Sequence, residues 1–193
     1  MDPVPASQSA GQISADGQFR WDGQQWVPLP AGHRMPTPWT RPMQLAAAGV
    51  LALSALSGVV ISFAFVNHDS MLRAVQAQGT QIPAGTDIDT IVNAAIALTY
   101  GVAIFWALLN LVAALGSFLR WRWMFWGAFV LLCLGTLGTL INLRSFANAD
   151  RSPIPVGGLI VGELIGVLGA AAFVWMLVGL VKYGPWAMKR PGT

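Results

Sequence analysis

Apolar residues run almost unbroken through four stretches of the chain, 44–66, 91–119, 124–143 and 156–181. Polar and charged residues collect in the segments between them. An α-helix rises about 1.5 Å per residue, so roughly 20 apolar residues cross the hydrocarbon core of a bilayer. The pattern predicts an all-α fold, a four-helix transmembrane bundle occupying 44–182. The link around Arg120-Trp121-Arg122-Trp123 is short enough to make spans two and three an antiparallel hairpin.

Before the first span the pattern changes. Residues 1–12 are small and polar, with Pro3 and Pro5, and are expected to form a disordered tail. Residues 13–29 alternate aromatic and polar positions on either side of Asp22-Gly23. That dipeptide tolerates positive φ and predicts a two-residue hairpin turn. In that register Trp21 opposes Gln24 and Phe19 opposes Trp26. Phe19, Trp21 and Trp26 then share one face, with Arg20, Gln25 and Val27 on the other. A lone hairpin is marginal in water, so this aromatic face is expected to contact the proline-rich segment, the bilayer surface or a partner. Residues 30–43 contain Pro30, Pro36, Pro38 and Pro42 and predict an extended linker.

The loops add three expectations. Asp69 or Ser70 caps a short surface helix over 71–78 that Gly79 ends, with Met71, Leu72 and Val75 on one side. Thr86 with Asp89 resembles a capping box for the second span. Residues 144–155 form a short loop ending in Pro153 and Pro155.

Composition supports lipid as the solvent. Of 193 residues, 55% are apolar and 10% charged, against about 25% charged in soluble domains. The net charge of +3 is unevenly spread. With the N-terminus cytoplasmic, the inner segments hold Arg20, Arg34, Arg41, Arg120, Arg122, Lys182, Lys189 and Arg190. The outer loops hold Arg73, Arg144 and Arg151, together with Asp69, Asp87, Asp89 and Asp150. This asymmetry predicts a multi-pass protein of the cell membrane with both termini cytoplasmic. Trp39, Trp121, Trp123, Trp126 and Trp186 fall at the same ends, where an amphipathic indole is favoured. The basic charge therefore reads as a membrane anchor, with no nucleic-acid partner. Residues 1–40 contain no apolar run of the signal-peptide kind, so the first span is expected to direct insertion.

The run Ser14-Ala15-Asp16-Gly17-Gln18-Phe19-Arg20-Trp21-Asp22-Gly23-Gln24-Gln25-Trp26-Val27-Pro28 resembles a tag, S-x-D-G-x-x-x-W-D-G-x-x-W-x-P. Such tags precede transmembrane helices in many uncharacterised actinobacterial multi-pass membrane proteins. The resemblance covers this segment alone. It implies a cytoplasmic N-terminal module and brings no activity with it. Phe19 stands where related tags often carry tyrosine or tryptophan.

Chemistry inside the spans is sparse. Glu163 is the one formal charge well within a span, roughly 12 Å from its outer end. An ionised acid at mid-membrane costs about 3 kcal/mol. Counting from the outer ends places Ser57, Thr99, Tyr100 and Thr136 at similar depth, so a polar layer is expected there. Glu163 then acts as a protonated group joining helices, as a proton or cation relay, or as a contact with another subunit or a lipid headgroup. Gly158, Gly162, Gly166 and Ala170 recur every fourth residue and predict a close helix contact, as does Gly135-Thr136-Leu137-Gly138-Thr139. Asn93, Asn110 and Asn142 predict interhelical hydrogen bonds. Cys133 reads as a small apolar filler. His33 and His68 fall on opposite sides, so no metal or other cofactor is expected. No serine triad or phosphate loop is present in the sequence.

These features predict a non-enzymatic membrane accessory or scaffold protein. It would bind another membrane protein or form a homo-oligomer, with the hairpin as a cytoplasmic contact. The alternative is a small oligomeric transporter or channel that uses Glu163. A lipid-modifying enzyme would call for clustered acids, histidines or a basic pocket at the interface.

Overall fold

The computed structural model describes residues 10–14, 18–29, 34–77, 87–146 and 152–189. β1 (Phe19–Trp21) and β2 (Trp26–Pro28) form the hairpin, and β3 (Met35–Pro36) leads into α1 (Thr40–Phe65). Then follow α2 (His68–Ala77), α3 (Ile88–Phe118), α4 (Met124–Phe146) and α5 (Val156–Tyr183). A single 3-10 turn, Pro185–Ala187, and β4 (Met188–Lys189) follow α5. Among the described residues, α1, α3, α4 and α5 are the helices long and apolar enough to cross a membrane. The chain is an integral membrane protein.

Two spans begin earlier than the apolar runs suggested. α1 starts at Thr40 rather than 44, because Pro42 falls in the first turn, where its missing N–H has no partner to lose. Thr37 organises the entry: its Oγ1 accepts from the Trp39 N–H at 3.3 Å, and its own N–H donates to Thr40 Oγ1 at 2.9 Å. α3 starts at Ile88 with Asp87 as its cap, whose side chain accepts from the Asp89 N–H at 3.3 Å. Asp87 takes the cap role; Thr86, expected there, lies outside the described residues. α2 likewise begins before 71. Asn67 Oδ1 accepts from the Ser70 N–H and Ser70 Oγ accepts from the Asn67 N–H, both at 2.9 Å. This reciprocal pair satisfies two end donors and displaces the expected Asp69 or Ser70 cap.

α3 ends in a Schellman motif. The Trp121 N–H reaches Gly116 O at 2.9 Å and the Arg120 N–H reaches Ser117 O at 3.2 Å. Arg120 sits at φ 64°, the left-handed position usually given to glycine. Gly116 allows the chain to fold back this tightly: a Cβ there would lie 2.6 Å from the Met124 side chain and 3.0 Å from Trp121. Arg41 closes the same end by donating to the Phe118 carbonyl at 3.1 Å while lying over the Phe118 ring.

The four spans form a ring in the order α1, α3, α4, α5. Their core is lopsided. Met43, Ala47 and Leu51 of α1 meet Ala113 and Ala114 of α3, Phe125, Ala128 and Leu132 of α4, and Ala172 and Met176 of α5. All lie in the half that carries the segments before α1 and after α5. The opposite half holds a small cluster of Val66, Met71 and Val92, where α2 packs its apolar side on α3. An exposed His68–Asp89 contact of 3.2 Å spans the same joint.

The segment before α1 and the segment after α5 are bound to each other. β3 and β4 pair antiparallel, Met35 with Lys189 and Pro36 with Met188. Thr37 Oγ1 and Thr40 Oγ1 both donate to the Ala187 carbonyl, at 2.7 and 3.1 Å. These contacts tie residues 35–40, which fall largely in the segment expected as an extended linker, to residues 184–189. Trp186 is only 1% exposed; it packs edge-on against Phe125 and donates from Nε1 to the Trp121 carbonyl at 3.4 Å. It is a core plug rather than the interfacial anchor expected. Trp186 and Ala187 take φ of 56° and 50°, a strain of about 1–2 kcal/mol per residue. A buried indole, whose deletion typically costs about 3–5 kcal/mol, offsets it.

Candidate functional site

The five residues expected to form an intramembrane polar layer do not join into a network. Ser57 Oγ donates to Ser54 O at 3.2 Å, Thr99 Oγ1 to Ala95 O at 2.8 Å and Thr136 Oγ1 to Leu132 O at 2.8 Å. A helical hydroxyl readily bonds to the carbonyl one turn earlier on its own helix, so equal depth does not bring such groups together. Tyr100 crosses between elements instead. Its hydroxyl donates to Val66 O at 2.5 Å, at the end of α1, and its ring stacks on Phe63 with centroids 4.4 Å apart. Glu163 is half-buried, and its Oε1 is enclosed without a hydrogen-bond partner among the described residues. Asn110 is buried and donates back to Trp106 O on its own helix at 2.8 Å.

The small residues of α5 divide between two neighbours. A Cβ on Gly158 would stand 3.2 Å from Phe65 of α1, and one on Gly166 would collide with Thr139 of α4. Gly162 has Ile61 at the edge of contact, 4.0 Å away, and Ala170 is half-buried. Gly169 and Gly179, outside that spacing, also face neighbours: Leu132 and Val50 lie 3.9 Å from a Cβ at Gly169, and Met43 fills the space beside Gly179.

The hairpin keeps its aromatic face in a different register. Trp21 pairs with Trp26, Arg20 with Val27 and Phe19 with Pro28. The turn is Asp22-Gly23-Gln24-Gln25 rather than Asp22-Gly23 alone. Asp22 Oδ1 selects it by accepting from the Gln24 and Gln25 N–H groups, each at 2.8 Å. The Gln25 bond, followed by that of Gln24, holds the Asp22 carboxyl below its ordinary pKa. The register moves by an even step, so Phe19, Trp21 and Trp26 remain on one side. Trp21 and Trp26 pack with centroids 5.5 Å apart. Gly11 and Gln12, expected in the disordered tail, bond to both backbone groups of Trp21, at 2.7 and 2.8 Å. They extend the hairpin along β1.

Three concavities were not anticipated: one of about 570 Å³ beside α2, lined by Phe65, Asn67, Ser70, Arg73 and Ile154, and two others. The first of these two lies on the loosely packed half, between α1 and α3, and has a volume of about 480 Å³. Ser54, Gly58 and Ser62 line it from α1, and Leu98, Val102 and Trp106 line it from α3. The fourfold spacing of those small residues was the available signal, obscured by uniformly apolar neighbours. The second, about 300 Å³, lies at the paired chain ends and is lined by Arg34, Arg122, Trp123, Trp126, Trp186 and Met188. Its two arginines come from segments remote in sequence, which no local pattern could join. No protein-family model, curated protein or solved structure matches the chain.

Proposed function

We propose that this protein is a non-enzymatic accessory or scaffold protein of the cell membrane, with both termini cytoplasmic. It offers the open half of its bundle to a transmembrane helix of another membrane protein or of a second copy. The observation that carries this reading is the uneven core: side chains fill the half near the chain ends, while the other half leaves the Ser54–Gly58–Ser62 groove open. Helices associate in lipid through close backbone approach at small residues, and a ridge of this kind supplies it. The aromatic hairpin adds a contact outside the bilayer.

Gly58→Leu tests the reading cleanly, because a side chain at Gly58 meets nothing within 4 Å. It fills the groove without disturbing the bundle. Cross-linking in native membranes should show the parent in a defined assembly and the variant without it, at equal helical content and melting temperature. An unchanged assembly, or a parent that runs alone, contradicts the proposal.

A second reading is a small oligomeric transporter or channel, favoured by the enclosed Glu163 Oε1 with no partner among the described residues. Proton and cation flux in proteoliposomes decides it. The scaffold reading expects parent and Glu163→Gln to be equally silent, whereas flux abolished by the substitution would favour transport.

A further inference from the structure

The pocket at the paired chain ends has the make-up of an anion site at the membrane surface. Arg34 is seated by structure: its Nη1 donates to the Met188 carbonyl at 3.3 Å, and Met188 is fixed by pairing with Pro36. Gly184 makes room for it, since a Cβ there would collide with the guanidinium. A guanidinium has five donors, so this one bond leaves others for a ligand. Arg122 also lines the pocket, with Trp123 and Trp126. These tryptophans are 65% and 53% exposed, where an indole marks headgroup depth. α4 starts at Met124, so the positive end of its dipole also faces this region.

Arg41, Arg120, Lys182 and Lys189 lie at this end of the bundle. Of the described carboxylates, Asp69, Asp87 and Asp89 lie near α2 and Glu163 lies inside α5, away from this end. Below Trp126, Val130 and Leu134 are exposed along α4 and continue an apolar track into the bilayer. An occupant matching this layout has a phosphate at the arginines and an acyl chain along α4. We infer that the pocket binds the headgroup phosphate of an anionic phospholipid, held by Arg34 and Arg122 between Trp123 and Trp126. Basic pockets beside transmembrane helices recognise such headgroups.

Native mass spectrometry of the full chain, supplied with equal phosphatidylglycerol and phosphatidylcholine, tests the inference. The parent should retain phosphatidylglycerol selectively. Each arginine near the surface contributes on the order of fivefold, so Arg34→Gln with Arg122→Gln should weaken retention about 30-fold. Arg73→Gln, on the far side of the bundle, should leave it unchanged. If the double variant fails to fold, Arg122→Gln alone should still lose about fivefold, because it spares the Arg34–Met188 bond. Equal retention of the two lipids, or undiminished retention by a folded variant, overturns the inference. Displacement of the lipid by millimolar inorganic phosphate also overturns it, by assigning the site to a free anion.

Discussion

A methyl group added at Gly116 would meet Met124 and Trp121, whereas one added at Gly58 would meet open space. The two glycines thus serve different ends. Gly116 permits the tight reversal from α3 into α4. Gly58 leaves a surface vacant. Gly116→Ala should therefore destabilise the bundle by about 1–3 kcal/mol, the usual range for overpacking, while Gly58→Ala should shift it by less than about 0.5 kcal/mol. Unfolding titrations in mixed micelles measure both. Sequence could name these glycines but not separate them, because the difference depends on Met124 folding back across a turn. Glu163 shows the reverse case. Its burial follows from its cost in lipid, but its missing partner is visible only once Ser57, Thr99 and Thr136 are seen bonding to their own helices.

At the scale of elements, the four spans were legible because lipid demands long, uncharged helices, and that demand is written in composition alone. Their first turns were less so. Thr37 and Asp87 set the true starts of α1 and α3, and Asn67 that of α2, through side-chain bonds that hydropathy does not register. The hairpin was found and its turn misjudged, because Asp22 can serve either a two-residue turn or the wider one. The wider turn makes a pH prediction. Asp22 is held below its ordinary pKa by the Gln25 and Gln24 N–H groups, so the ionised form favours the folded turn. That contribution is complete above the unfolded value of about 3.9 and is lost as pH falls through the lower folded value. NMR should show the Gln24 and Gln25 amide shifts titrating together with a midpoint below 3.9. The Asp22→Ala variant should show no such titration. A midpoint at or above 3.9 in the parent would show that the carboxylate does not hold the turn.

Across the whole molecule, the chain ends act as a clasp. β3 pairs with β4, both threonine hydroxyls of the α1 entry grip Ala187, and Trp186 plugs the core beneath them. This clasp was illegible in sequence, since residues 34–40 and 184–189 come from opposite ends of the chain and carry no mutual signature. It concentrates the packed core, the basic residues and the exposed tryptophans at one end, and leaves the other half of the bundle open. The proposed accessory role and the proposed lipid site both depend on that polarity. Both also depend on the chain crossing the bilayer four times, so that its two ends meet on one side.

The most direct measurement is labelling of single cysteines by a membrane-impermeant maleimide in intact and permeabilised cells, in a Cys133→Ala background. Gln24→Cys and Lys189→Cys should label only after permeabilisation, and Asp69→Cys should label in intact cells. Labelling of Gln24→Cys and Lys189→Cys from opposite sides of the membrane would contradict the four-span, clasped architecture outright.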